Sequence, residues 1–211
     1  MNTNDLIGML AKQAGPVENP VNPVLCSAVV GAALIISIAG AYLWLGFVPL
    51  SLFGQTGPWL KILFGAALVA TCKSAFVRAG QPGVTEPSGI YPPVLVFSAV
   101  ALLALGQFSV SDETDRVALV WGHSWSACPR NILALSIPIL CSLLYIMRRM
   151  APVNQIKAGA YAGLLAGSLS AMVYALSCTE TAFPFIAIWY GAGILLTCVS
   201  GALLGSILLR W

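Results

Sequence analysis

Six continuous apolar runs divide the chain. They cover Val24–Val48, Leu60–Val77, Val94–Val110, Asn131–Met147, Ala158–Leu176 and Phe185–Leu209. Each is close to the ~20 apolar residues that an α-helix needs to cross a bilayer. None alternates, and all exceed the ~10 residues of a membrane β-strand, so a barrel is excluded. The second run is the weakest, because Lys61 and Lys73 sit near its ends. Both are expected to snorkel to the interfaces. A proline-rich loop, Gln81–Pro93, precedes the third run. The pattern predicts an all-α fold, an integral membrane bundle of six transmembrane helices in residues 24–211.

Residues 1–23 read differently. They are polar, are broken by Pro16, Pro20 and Pro23, and contain no apolar h-region, so no cleaved secretory signal is expected. Asn2-Thr3-Asn4-Asp5 is rich in helix-capping residues. Leu6, Ile7, Met9 and Leu10 then supply an apolar face, and Gly15-Pro16 ends the segment. So short an amphipathic helix is marginal in water; it needs a partner or a membrane surface. Few lysines flank it, which favours a protein partner. The plain alternative is a frayed N-terminal leader.

Composition narrows the class. Of 211 residues, 59% are hydrophobic and 8% charged, against about 25% charged in soluble domains. There is too little polar surface to cover a globule in water. A soluble enzyme, a nucleic-acid-binding domain and a disordered protein are excluded. The net charge of +3 is too small to imply a polyanionic partner, so no direct nucleic-acid contact is expected; membrane lipid is the surroundings.

Charge placement sets the expected orientation. Six spans put both termini on one side. With the N-terminus inside, Lys12, Lys73, Arg78, Arg148, Arg149, Lys157 and Arg210 are cytoplasmic, and only Lys61, Arg116 and Arg130 are outside. The positive-inside rule therefore predicts N-in, C-in. Trp44, Trp59, Trp121, Trp125 and Trp189 then fall at or near the outer face, as an interfacial belt would.

That topology separates the six cysteines by depth. Cys26 and Cys72 lie near inner span ends, and Cys141 and Cys198 lie within spans. These four read as small apolar residues at helix contacts. Cys128 and Cys178 lie at the outer face, one before the fourth span and one after the fifth. The two spans form an antiparallel hairpin, so the pair can approach. Three readings compete: a structural disulfide, a redox sensor, and a sensor that binds a soft metal ion. The helix start at Cys128 and nearby Arg130 would favour a thiolate. No Cys-x-x-Cys is present, which argues against a thiol–disulfide exchanger. His123, the sole histidine, stands five residues before Cys128. It is a weak candidate for a third metal ligand, an exposed loop histidine being the commoner case.

Gly159, Gly163, Gly167 and Ala171 repeat at four-residue spacing in the fifth span, and Gly201-x-x-x-Gly205 lies in the sixth. Small residues at this spacing let helices pack backbone to backbone, within one chain or in a homo-oligomer. A tight contact here would also connect Cys178 to Lys157 at the opposite end.

Several segments together carry a family resemblance. They are Asp5-Leu6-Ile7 with Leu10-Ala11 and Pro16-Val17, Gly122-His123-Ser124-Trp125-Ser126-Ala127-Cys128-Pro129, and Ala151-Pro152 after the arginine pair. To these add the stretch from Ala158 through Gly163 and Gly167 to Tyr174-Ala175-Leu176 and Cys178, then Trp189-Tyr190 and Leu208-Leu209-Arg210-Trp211. Over its whole length the chain resembles the NrsF-type membrane anti-sigma factors, negative regulators of an extracytoplasmic-function sigma factor in bacteria. The resemblance implies a six-span protein of the bacterial inner membrane. Its cytoplasmic N-terminus, here Asp5, Leu6, Ile7, Leu10, Pro16 and Val17, would hold the sigma factor. It also implies that the two outer cysteines, Cys128 and Cys178, are needed for a response to heavy metals or oxidants. No catalytic residue and no resident cofactor are implied; a soft metal ion would act only as a transient inducer.

Two other classes compete with an anti-sigma factor. A six-span transporter would place ionisable groups at mid-membrane, whereas here the spans hold only lysines near their ends. A membrane protein passing electrons from thiols to quinone would be expected to carry a Cys-x-x-Cys.

Overall fold

The computed structural model describes residues 3, 5, 7–9, 22–49, 54, 56–81, 90–150 and 152–210. Among them the structure is helical, without strands. Six helices are long and apolar enough to cross a membrane. The first, Pro23–Leu45, starts where Asn22 accepts a hydrogen bond from the Val24 N–H at 3.0 Å and proline occupies the first turn. It stops at Gly46, whose φ of 72° belongs to the left-handed region. The apolar run continues to Val48, but the helix does not.

The second span is Thr56–Ala79 and the third Tyr91–Val110. The fourth, Ala127–Met150, contains Pro138 and closes on Arg148 and Arg149. The fifth, Gln155–Ala175, is capped by Asn154, which accepts from the Lys157 N–H. The last, Phe183–Leu208, has three pieces: a turn at Phe183–Phe185, a π-helical turn at Ile186–Tyr190 and an α-helix at Gly191–Leu208.

A short helix, Glu113–Trp121, joins the third and fourth spans in a stretch that no apolar run covers. Glu113 and Asp115 lie in its first turn, the favourable end of the helix dipole for acids. None of its residues is buried.

The fifth span is the hub. It packs against the sixth, second and fourth. The first span rests mainly on the fourth, and the third on the second and on the start of the last. The first and third spans accordingly bury little of their surface, and their apolar side chains face outward. In a membrane that outer surface contacts lipid tails, so full apolarity is the stable choice.

Backbone proximity holds the hub together. A Cβ built at Gly163 would stand 2.8 Å from the Cα of Cys198, and one at Gly159 would stand 2.8 Å from the Cα of Gly205. The stripe thus faces the sixth span of the same chain. On its other side Gly65 of the second span meets Met172 and the Ser168 carbonyl, and Gly57 meets Thr181. Lys61, Leu68 and Cys72 continue that face and are fully buried.

Two expectations are corrected here. Lys61 does not snorkel: it is 0% exposed, because its side chain turns into the bundle toward a carbonyl. Cys141 is not at a helix contact but exposed on the lipid-facing surface. Of the tail, Thr3, Asp5 and Ile7–Met9 are helical and exposed. Leu6, Leu10, Pro16 and Val17 lie outside the described residues.

Candidate functional site

The end of the bundle opposite Arg148 and Arg149 gathers the polar chemistry. The fourth span opens with the Cys128 N–H donating to the Ser124 carbonyl at 3.0 Å. The fifth span ends in a turn in which the Ser177 N–H donates to Tyr174, and the Val48 N–H ties that turn to the first span by donating to Leu176. These two helix ends lie side by side, so Cys128 and Cys178 meet. Both are buried and both are free thiols. The thiols hydrogen-bond each other.

Lys61 reaches the pair from the second span. Its Nζ donates to the Cys178 carbonyl at 2.5 Å, and the ammonium also interacts with the Cys178 thiol and, at longer range, with Cys128. This is an ionisable side chain inside a spanning helix, an arrangement that is costly and generally functional. Arg130, the cation that sequence position suggested beside Cys128, is exposed instead.

Two tyrosines complete the lining. Tyr190 comes from the π-helical turn and is 0% exposed. Its hydroxyl has no nitrogen or oxygen partner and faces the Cys178 thiol. Its ring lies 5.7 Å from that of Tyr174, whose hydroxyl meets Asn131 and Cys128. A π-turn adds one residue per turn, and such turns recur at functional sites. Here it brings Tyr190 to the cysteines. Next to Tyr190, the Trp189 ring packs against Trp121 and Trp125, with centroids 5.6 and 5.3 Å away, and its Nε1 donates to the Val120 carbonyl.

The electrostatic outcome is asymmetric. The hydrogen bond from the Cys128 thiol draws the Cys178 thiol below the usual thiol range, against the opposing effect of burial. The Lys61 ammonium, the Tyr190 hydroxyl and the Glu180 N–H pull the same way. The donors around the pair thus converge on Cys178 and favour its thiolate, the reactive form of a cysteine.

His123 does not join this cluster. Its side chain is fully exposed; its main-chain N–H donates to Glu180 Oε1 at 2.8 Å, with Nδ1 3.7 Å from the same oxygen. Gly122, at φ 51°, makes the bend that allows the contact. Among the described residues no three His, Cys, Asp or Glu side chains converge as metal ligands. What the cluster can do chemically is two-thiol chemistry: form a disulfide, or offer two sulfurs to a soft metal ion.

Sequence reasoning singled out Cys128 and Cys178 from six cysteines. It missed Lys61, Tyr174, Tyr190, Asn131 and Glu180. A lysine within an apolar run was the available signal for Lys61; Trp189-Tyr190 stood among the segments carrying the resemblance, but nothing tied Tyr190 to the cysteines, because a one-residue excess in a helix leaves no composition trace.

Comparison with known proteins adds the family. The model for "Negative regulator of sigma F" matches residues 10–211. The chain is 37% identical over 223 residues to the probable anti-sigma-F factor NrsF of Azospira oryzae, covering all of both chains. It is 33% identical over 217 residues to the anti-sigma-F factor NrsF of Caulobacter vibrioides, again covering all of both. No solved structure matches. A full-length match of this kind, on an all-helical bundle with six helices able to span a membrane, settles the relationship: the chain belongs to the NrsF family, the negative regulators of sigma F.

Proposed function

We propose that this protein is an inner-membrane anti-sigma factor that holds an extracytoplasmic-function sigma factor on its cytoplasmic N-terminus and releases it when the periplasmic cysteine pair is modified. The orientation in this reading is N-in, C-in, supported by the excess of Lys and Arg on one side. Sigma binding is assigned to Asp5, Leu6, Ile7, Leu10, Pro16 and Val17, with the apolar residues docking as a short helix. The exposure of Ile7 and Met9 is consistent with a face waiting for a partner.

The observation that carries the sensing part is the contact between two buried free thiols at the end of the bundle away from the arginine pair. A heavy metal ion or an oxidant acting there alters the junction of the fourth and fifth spans. Shifting sigma occupancy from nearly full to nearly empty needs about 5.5 kcal/mol of differential affinity between two states. A metal–dithiolate site or a disulfide supplies free energy of that order.

The test is a sigma-dependent reporter in the native host. Cys128→Ser and Cys178→Ser should each abolish induction by cadmium and by hydroperoxide while leaving basal repression in place. Full induction in both variants would remove the sensing role and leave the family assignment untouched.

A further inference from the structure

We infer that the arginine end of the bundle carries a binding site for one anionic phospholipid, seated in the cleft between the first and fourth spans with its headgroup on Arg149. The site lies at the opposite end from the cysteines and does not depend on the proposed sensing role.

The seam between these two spans changes character along its length. Ala33, Ser37 and Ala41 repeat at four-residue spacing on the first span, and all three are buried. There the Ser37 hydroxyl donates to the Leu135 carbonyl of the fourth span at 2.8 Å. The next residues of that stripe toward the tail are Val29 and Leu25. They line an open cleft instead, beside Cys26 and opposite Tyr145, Ile146 and Arg149 of the fourth span. Leu25 is 50% and Tyr145 48% exposed. Two helices joined at mid-depth thus leave their facing side chains uncovered toward the arginine end.

The chemistry of the cleft selects its occupant. Leu25, Val29 and Ile146 make apolar walls, and Arg149 closes one end with a cation. That cation is held in place: the guanidinium lies 4.9 Å from the centre of the Tyr145 ring, and its Nη2 donates to the Tyr145 hydroxyl at 2.6 Å. No carboxylate among the described residues pairs with it. A guanidinium has five N–H donors, so most remain available, and their planar fork suits phosphate oxygens. An acyl chain along the walls and a phosphate at the arginine satisfy both halves together. A soluble anion would leave the walls bare. The walls are continuous with the lipid-facing surface of the first span, so a chain enters without crossing water. Basic pockets between spanning helices at the membrane surface bind anionic headgroups in just this way. A lipid so placed bridges the helix that leads in from the tail and the helix that opens at Cys128.

The experiment titrates full-length protein in detergent micelles with phosphatidylglycerol and with phosphatidylcholine of the same acyl chains. Bound lipid is counted by native mass spectrometry. Wild type should bind one phosphatidylglycerol about tenfold more tightly than phosphatidylcholine. Arg149→Gln should abolish that preference. Arg148→Gln is the control: Arg148 carries the same charge one residue away, is exposed and does not line the cleft, so its loss should leave the preference in place. Val29→Trp fills the cleft and keeps the charge, and should weaken both lipids alike.

An unchanged preference in Arg149→Gln overturns the inference. So does an equal loss in the two arginine variants, which would mean a diffuse surface charge, and so does unaltered lipid binding in Val29→Trp. If Arg149→Gln keeps its lipid preference but co-purifies less sigma factor, the arginine serves an acidic protein surface, and the inference falls equally. Lipid counting involves neither the cysteines nor sigma release, so a failure of the sensing role in the reporter is seen separately.

Discussion

Gly163 lies so close to Cys198 that a Cβ on the glycine would stand 2.8 Å from the cysteine Cα, and closer still to the Thr197 carbonyl oxygen. The atoms it would meet are backbone, which cannot rotate away. In a bilayer, where apolar burial does little to join helices, such close approach is a main source of helix association.

Gly163→Leu should therefore be far worse than a surface change. Overpacking against fixed backbone costs about 1–3 kcal/mol and sometimes more. The variant should unfold at markedly lower temperature or SDS fraction than wild type. Gly31→Ala makes the control, since nothing lies within 4 Å of a Cβ there. If the Gly163→Leu protein inserts stably yet still represses and induces normally, the fifth–sixth contact is not part of signal transmission.

Tyr190 gives a prediction of opposite sign. Its hydroxyl is buried with no nitrogen or oxygen partner, only the Cys178 sulfur, a weak hydrogen-bonding group, so it contributes little stability in return for its desolvation. Tyr190→Phe should leave thermal stability unchanged or raise it by about 1 kcal/mol. Tyr190→Ala should lower it by about 3–5 kcal/mol, the range for emptying a core aromatic site. A clear loss of stability in the phenylalanine variant would mean that the bond to the Cys178 sulfur outweighs the cost of burying the hydroxyl.

His123 should prove dispensable. The bond to Glu180 at 2.8 Å comes from its main-chain N–H, which any residue but proline supplies. His123→Ala should leave reporter induction by cadmium and by hydroperoxide at the wild-type level. A selective loss of the cadmium response would restore the imidazole as a ligand.

The tail is tested by binding. A Leu6→Asp, Leu10→Asp double variant should lower sigma-factor affinity at least about a hundredfold, since two apolar anchors of a short docked helix become charged. Co-purification of full-length protein with the sigma factors of the host reads this directly. Undiminished binding would move the interface elsewhere on the chain.

The sequence displayed the six spans plainly, because lipid demands an unbroken apolar run from each and Val24–Val48 or Phe185–Leu209 can hardly be read otherwise. Boundaries were less visible: the first helix stops at Leu45 since Gly46 adopts a positive φ, a matter of backbone rather than polarity. Cys128 and Cys178 were found because hairpin topology brings those two helix ends together. Lys61 was misread because a lysine near a span end usually reaches water; only the tertiary structure shows the Cys178 carbonyl waiting inside. The Glu113–Trp121 helix was missed because charged residues interleave with its apolar ones on a surface that buries nothing.

The π-helical turn at Ile186–Tyr190 acts as a phase shifter. Successive residues of an α-helix are about 100° apart, so one surplus residue re-indexes everything beyond it. The last span has two appointments to keep: Tyr190 with the cysteines, and Gly201 and Gly205 with the fifth span. Removing a single residue between Ile186 and Tyr190 would leave composition, length and hydropathy almost untouched. It would nevertheless force the helix to choose between its aromatic contact and its glycine seam.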